Sequence, residues 1–225
     1  MTGPKKRCGV LILPVLVIFL SLLACTSTQE QKAKPTVPPR FIYDLGISQM
    51  QLGEYAQARL SLKQAVALDP DKAIYRNALG LANLHSGRLR QAVISFREAL
   101  RLNPQFPDAY NNLGVSLAQS GKPEEALGAF WLALSIPSYN TPEIVYQNLG
   151  EAYYKLGRYS DAEESLKAAL RLNTNLATTY YTLGLVHEKQ SRRLEALKAF
   201  REALKLAPDS EVARKAKERL VSLGG

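Results

Sequence analysis

The chain has 225 residues and a net charge of +9 at pH 7, from 29 Lys and Arg against 20 Asp and Glu. Two Cys and two His offer few metal ligands, and no aromatic-basic motif of nucleic-acid-binding proteins accompanies the charge. The sequence also lacks a Gly-rich phosphate loop, a His-Glu-x-x-His motif and a Gly-x-Ser-x-Gly motif. We therefore expect a protein that is not an enzyme, holds no metal or cofactor and does not bind nucleic acid.

The N-terminal segment has the charge and hydropathy pattern of a secretory signal peptide. Three cations, Lys5, Lys6 and Arg7, come first, and an apolar run follows over residues 9–24. This run is shorter than the ~20 residues of a membrane-spanning helix. The pattern predicts a signal peptide over residues 1–24, whose removal would lower the net charge from +9 to +6.

The apolar run ends at the four residues Leu22-Leu23-Ala24-Cys25. They resemble the bacterial lipobox, in which signal peptidase II cuts before the Cys, and the Cys carries diacylglycerol and an N-acyl chain such as palmitate. The resemblance implies lipidation at Cys25; the alternative is an ordinary signal peptide with a fortuitous Cys. Cys8 would be removed with the signal, so the mature chain could form no internal disulfide.

The residues that follow Cys25 bear on where the lipoprotein is located. In lipoproteins of enterobacterial type, Asp at the next position retains the protein at the inner membrane. Thr26 therefore implies a lipid anchor at the periplasmic face of the outer membrane, with the cell surface as the alternative. Residues 25–38 are polar and Pro-containing, which predicts a lipidated Cys and a flexible tether.

The remainder of the chain is repetitive. A Leu-Gly dipeptide recurs so that successive glycines lie 34, 34, 36 and 34 residues apart, at Gly46, Gly80, Gly114, Gly150 and Gly184. A pair of alanines follows each glycine at fixed offsets; the first alanines are Ala58, Ala92, Ala126, Ala162 and Ala196. A turn glycine lies between them in four repeats, and Ser191 takes its place in the fifth.

This spacing resembles the tetratricopeptide repeat, a pair of antiparallel helices that buries its apolar face only by stacking on its neighbours. We predict an all-α superhelix over residues 39–223, made of five helix pairs and a C-terminal capping helix. The predicted repeats are 39–72, 73–106, 107–140, 143–176 and 177–210, and the predicted capping helix is 211–223.

The end of the domain is basic, with nine Lys and Arg against five Asp and Glu between Arg192 and Arg219. Two interpretations are open. The charges belong either to a solvated convex face and cap, or to a surface that contacts anionic headgroups or an acidic partner.

In tetratricopeptide folds, fixed positions of the first helix of each pair face the concave side. Mapping them predicts a partner-binding groove that combines side-chain amides with apolar and aromatic residues: Asn77, Leu81, Asn111, Asn112, Val115, Gln147, Asn148, Tyr154, Tyr181 and Leu185. Amides can pair with both the C=O and the N–H of an extended peptide. The alternative is structural: the amides bond to neighbouring helix backbone and the aliphatic residues pack within the repeat.

Three further side chains bear on these choices. His187 replaces a large core residue and is predicted to pack inside, whereas His85 is placed near the groove rim. Trp131 lies on the second helix of its pair, and the sequence does not decide whether it is packed or exposed.

The combination of lipobox, tether and tandem repeats resembles the pilotin family, the type IV pilus biogenesis/stability lipoproteins of Gram-negative bacteria. The more specific likeness lies at the junction of the third and fourth repeats, over residues 111–114, 130–143 and 148–150. It implies a monomeric, non-enzymatic protein that binds the pilus secretin subunit, localises it to the outer membrane and promotes its assembly. The alternative is a lipoprotein adaptor for other envelope machinery, such as peptidoglycan hydrolases or barrel assembly.

Overall fold

The computed structural model describes residues 2–3 and 37–224, so nearly all of the predicted signal peptide, Cys25 and all but the end of the predicted tether lie outside the described residues. Over residues 37–224 the chain forms eleven α-helices, and the described residues include no strand. In chain order the helices are α1 (Pro39–Gln51), α2 (Tyr55–Leu68), α3 (Ala73–His85), α4 (Leu89–Leu102), α5 (Pro107–Gln119), α6 (Pro123–Leu134), α7 (Pro142–Lys155), α8 (Tyr159–Leu172), α9 (Ala177–Lys189), α10 (Arg193–Leu206) and α11 (Glu211–Ser222).

The helices form two layers. Odd-numbered helices contact one another across repeats, from α1 through α3, α5 and α7 to α9, whereas even-numbered helices within residues 37–224 contact only their neighbours in sequence. The odd helices therefore line the inner, concave side of a superhelix and the even helices lie outside. This confirms the predicted fold class of five helix pairs with a C-terminal helix. None of the helices in the described part of the chain is both long and apolar enough to span a bilayer.

The last helix extends the inner layer. Helix α11 contacts both α10 and α9, just as α5 contacts both α4 and α3. Its buried residues Ala213, Ala216 and Leu220 face the preceding pair. Helix α11 thus caps the domain, as predicted, by taking the place of the first helix of an incomplete sixth repeat.

Small residues determine how closely the two helices of a pair approach. A Cβ atom placed on Gly80, Gly114 or Gly184 would lie 2.7, 2.6 or 2.7 Å from the Cδ1 atom of Phe96, Phe130 or Phe200, respectively. On Gly46 or Gly150 it would meet the side chain of Leu62 or Leu166 just as closely. The recurring glycine is therefore a contact surface for one large buried side chain of the second helix.

The single 36-residue interval is accommodated by residues 135–141, between α6 and α7. Within this loop Ile136 is buried, and Tyr139 packs against the central hydrophobic core. The loop is therefore part of the packed domain, and it is longer than the connections between the other repeats.

The turn inside each pair requires a left-handed residue. Gly53, Gly87, Gly121 and Gly157 have φ values of 70–76°, and Ser191 occupies the same place with φ 59°. A side chain in this region is disfavoured by about 1 kcal/mol or more because its Cβ approaches the following carbonyl oxygen.

We therefore expect Ser191→Gly to raise the free energy of unfolding by about 1 kcal/mol. The matched variant is Gly157→Ser, which should lower it by a similar amount, because a Cβ at Gly157 meets nothing within 4 Å and only the backbone term changes. Urea unfolding monitored by far-UV circular dichroism measures both. Two shifts of the same sign would contradict this account of the turn.

Candidate functional site

The concave face is built from residues at fixed distances from the recurring glycine. Three residues before it lies the first row: Tyr43, Asn77, Asn111, Gln147 and Tyr181, continued by Lys215 of α11. One residue after it lies the second row: Ile47, Leu81, Val115, Glu151 and Leu185. Because the odd helices are adjacent, each row runs from one repeat to the next along the groove.

The predicted amides form a ladder of hydrogen bonds between repeats. Asn112 Nδ2 donates to Asn77 Oδ1 at 3.2 Å, and Asn148 Nδ2 donates to Asn111 Oδ1 at 2.8 Å. At the next junction the hydroxyl of Thr179 donates to Gln147 Oε1 at 2.8 Å. Consecutive inner helices are thus joined by side chains.

This ladder changes the expected role of the amides. Asn77 is only 8% exposed and its oxygen accepts a bond from Asn112, so it offers little surface to the groove and joins two repeats. The bonding partners in this ladder are side chains of the neighbouring repeat, whereas the structural alternative expected helix backbone. Asn111, Asn112 and Asn148 remain partly exposed, and an amide with one bond keeps further donors and lone pairs for a ligand.

The second row consists of apolar side chains except at one position, where it has a carboxyl group. Leu81, Val115 and Leu185 are half-buried and pack against the core with one side. Glu151 lies between the last two and accepts a bond from Gln147 Nε2 at 3.3 Å. Burial raises the pKa of the Glu151 carboxyl, although the bond from Gln147 opposes this.

At its C-terminal end the groove forms a pocket of about 240 Å³ that α11 helps to close. The predicted residues Tyr154, Tyr181 and Leu185 meet here, and burial raises the pKa of both phenols. The remaining lining residues are Glu151, Lys155, Thr178, Thr182, Val212 and Lys215. Sequence reasoning did not include Lys155 in the groove and assigned Lys215 to the basic terminal surface; the two residues bring two ammonium groups to one pocket.

The other singled-out side chains are placed as follows. His187 is buried, as predicted, and its Nδ1 has no hydrogen-bond partner among the described residues. Burial and the nearby Arg192 lower the pKa of His187. His85 is exposed and stacks on Tyr55 with ring centroids 4.9 Å apart. The described residues contain no group of three side chains that could hold a metal ion.

Family models match most of the helical region. Models described as tetratricopeptide repeat match residues 43–105, 86–140 and 177–210, and one described as TPR repeat matches residues 146–191.

Two curated relatives share short stretches with the chain. A TPR repeat-containing protein of Methanocaldococcus jannaschii is 42% identical over 57 residues, which is 25% of this chain and 10% of the relative. Protein O-mannosyl-transferase Tmtc2 of Drosophila melanogaster is 37% identical over 68 residues, 30% of this chain and 7% of the relative. The chain thus matches a tenth or less of the length of these relatives.

Solved structures match over a much larger share of the chain. PilW, described as a widely conserved type IV pilus biogenesis factor, superimposes with a TM-score of 0.70 at 22% identity, covering 82% of this chain and 92% of that one. The pilF protein of Pseudomonas aeruginosa superimposes with a TM-score of 0.69 at 21% identity, covering 83% of this chain and 89% of that one. At these identities the likeness is one of fold.

Proposed function

The chain belongs to the tetratricopeptide-repeat family, and from this premise we propose that it is a non-enzymatic scaffold whose concave groove holds a segment of a partner protein. The observation that carries the proposal is the groove itself. It combines amides with unused bonding capacity, half-buried aliphatic side chains and an open pocket at one end.

An extended or amphipathic segment suits this surface. Its backbone would pair with the partly exposed amides Asn111, Asn112 and Asn148, while Leu81 and Val115 would receive alternate apolar side chains. Lys155 and Lys215 would attract a carboxylate toward the pocket at the α11 end. The segment would then lie along the groove with its acidic end nearest α11.

We propose further that the protein is an outer-membrane lipoprotein of the pilotin type, anchored through Cys25, and that the segment belongs to a type IV pilus secretin subunit. Support comes from the lipobox-like residues, the junction between the third and fourth repeats, and the fold shared with PilW, described as a type IV pilus biogenesis factor, and with the pilF protein. A lipoprotein adaptor for peptidoglycan hydrolases or barrel assembly has the same anchor and scaffold, and only the junction and these structural neighbours favour the pilotin.

Val115→Arg is the sharper test of the groove, because Asn112→Ala would also unpair the buried Asn77 and disturb folding. A guanidinium at the centre of the second row should prevent the partner segment from binding in the groove. We expect capture of a secretin from detergent-solubilised outer membranes by the lipidated protein to weaken at least about tenfold, equivalent to about 1.4 kcal/mol. The matched control is Ile94→Arg, an exposed apolar residue of α4 on the outer layer, which should capture normally.

A second pair of variants separates the groove from the terminal surface. Lys215→Glu reverses a charge that lines the groove pocket, whereas Lys217→Glu reverses one on another face of α11, which lines a cleft with Leu204 and Pro208. Binding in the groove predicts loss for Lys215→Glu alone. If Lys217→Glu loses secretin capture and Val115→Arg captures normally, the proposal that the segment binds in the groove is wrong. Capture of hydrolases or barrel-assembly proteins in place of a secretin would favour the adaptor.

A further inference from the structure

Trp131 departs from the repeat at a position that is otherwise basic. The residue directly after the large buried side chain of the second helix is Lys63, Arg97, Lys167 or Arg201 in the other four repeats. All four are exposed, and the indole of Trp131 is itself 48% exposed. The fold accepts Lys or Arg at this position, so it does not require a large aromatic side chain there.

The preceding junction indicates what the missing cation would do. Arg97 of the second repeat pairs with Glu125 of the third at 3.3 Å, and Glu125 also holds Lys122 at 2.8 Å. The residue equivalent to Glu125 in the fourth repeat is Asp161, which holds Arg158 at 2.7 Å. The place of Arg97 is taken there by Trp131. Among the described residues Asp161 therefore has one cationic partner, whereas Glu125 has two.

A pocket of about 300 Å³ occupies this place. Three aromatic residues from α6 and α7 and three charged residues of α8 line most of it: Trp131, Tyr146, Tyr153, Asp161, Glu164 and Arg171. The Trp131 Nε1–H donates to the Tyr153 hydroxyl at 3.4 Å, which orients the indole.

The charges of the pocket are distributed along α8. Arg171 is ten residues beyond Asp161, or about 15 Å along the helix, so it lies at the opposite end from that carboxylate. Asp161 lies at the end near the indole, because its partner Arg158 lies over the ring of Tyr153, to which the indole is bonded.

The site already holds one guanidinium. The Arg158 side chain lies 4.6 Å from the centroid of the Tyr153 ring while it pairs with Asp161. A planar guanidinium can stack on an aromatic face and bond a carboxylate at the same time, which a compact ammonium does less well.

We propose that the Trp131 pocket is a second binding site, outside the groove, that takes an arginine side chain from a basic peptide segment of a partner. The guanidinium stacks on the indole and bonds to Asp161 or Glu164, supplying from outside the cation that Arg97 supplies within the chain at the previous junction. The site lies on α6, α7 and α8 and is independent of the segment proposed for the concave face.

Trp131 is the only Trp in the 225-residue chain, so its fluorescence reports on this pocket alone. A short oligo-arginine peptide added to the full chain in detergent should change the Trp emission saturably, and an oligo-glutamate peptide should not. Because the chain carries a net charge of +9, non-specific attraction of a polycation is disfavoured. Absence of a saturable change would overturn the proposal, as would a response to a soluble oligosaccharide but not to the peptide.

Trp131→Lys restores the residue type of the other repeats and should fold normally. Anisotropy of a fluorescently labelled oligo-arginine peptide should report at least about fivefold weaker binding to this variant. The guanidinium would no longer stack on an indole, and the Lys ammonium would occupy its position. Trp131→Phe keeps an aromatic face and should bind within about threefold of the parent. Equal binding by the Lys variant would overturn the site.

Discussion

Gly114→Leu is expected to lower the free energy of unfolding of the repeat domain by about 1–3 kcal/mol, the usual range for overpacking a close-packed core. A Cβ at this position would already lie 2.6 Å from Phe130 Cδ1, and the rest of the Leu side chain would extend further into the ring. Phe130 is 1% exposed and is enclosed by core residues, so it cannot swing away. Helix α5 must therefore shift from α6.

The shift should reach beyond one repeat. Helix α5 also contacts α3, α4 and α7, and a solenoid is stabilised by the sum of nearest-neighbour interfaces. We therefore expect the whole urea transition to move, with the central repeats losing amide-exchange protection before the terminal ones.

Gly128→Ala is the matched control within the same helix pair. Gly128 lies in α6, is exposed, and a Cβ there would meet nothing within 4 Å. Replacing an unconstrained helical Gly by Ala should raise stability by about 0.5–1 kcal/mol. Two glycines of one helix pair should thus give effects of opposite sign. An unchanged unfolding midpoint for Gly114→Leu would contradict the close-contact role of the recurring glycine.

The fold could be predicted from the sequence because the features that determine it are periodic. The recurring glycine, the buried Phe or Leu it contacts and the turn glycine repeat at one spacing, so each repeat predicts the others. Ser191 could be placed in the left-handed region for the same reason. The exposure of Trp131 was left open, although the Lys and Arg at the equivalent positions of the other repeats favour an exposed side chain.

The details of the groove were less predictable because they depend on contacts between repeats. Whether Asn112 faces a ligand or bonds to Asn77 depends on the rotation and spacing of α3 and α5, which the sequence period does not specify. Lys215 was assigned to the basic terminal surface and not to the groove, because α11 was not aligned with the first helices of the repeats. Its position, 34 residues after Tyr181, would have placed it in the first inner row.

Cys25→Ser is expected to abolish membrane anchoring. The proposed lipoprotein carries three acyl chains on Cys25, and stable anchoring needs two membrane signals, whereas a single chain gives only marginal binding. Serine cannot take the thioether-linked diacylglycerol, and signal peptidase II cleavage would also fail. Labelling with radioactive palmitate should fall to background, and the protein should be found soluble or uncleaved.

Cys8→Ser is the matched control, because Cys8 is the other of the two Cys in the chain and lies in the segment proposed to be removed. It should leave labelling and outer-membrane fractionation unchanged. The Cys25 variant should still bind a secretin segment once purified, since the proposed groove is formed by residues within 37–224. A variant that leaves the outer membrane but still binds the secretin segment would show that the lipid anchor and the binding groove act independently. Unchanged outer-membrane fractionation of Cys25→Ser would contradict the lipoprotein assignment. Binding in the groove would still be tested separately by Val115→Arg and Lys215→Glu.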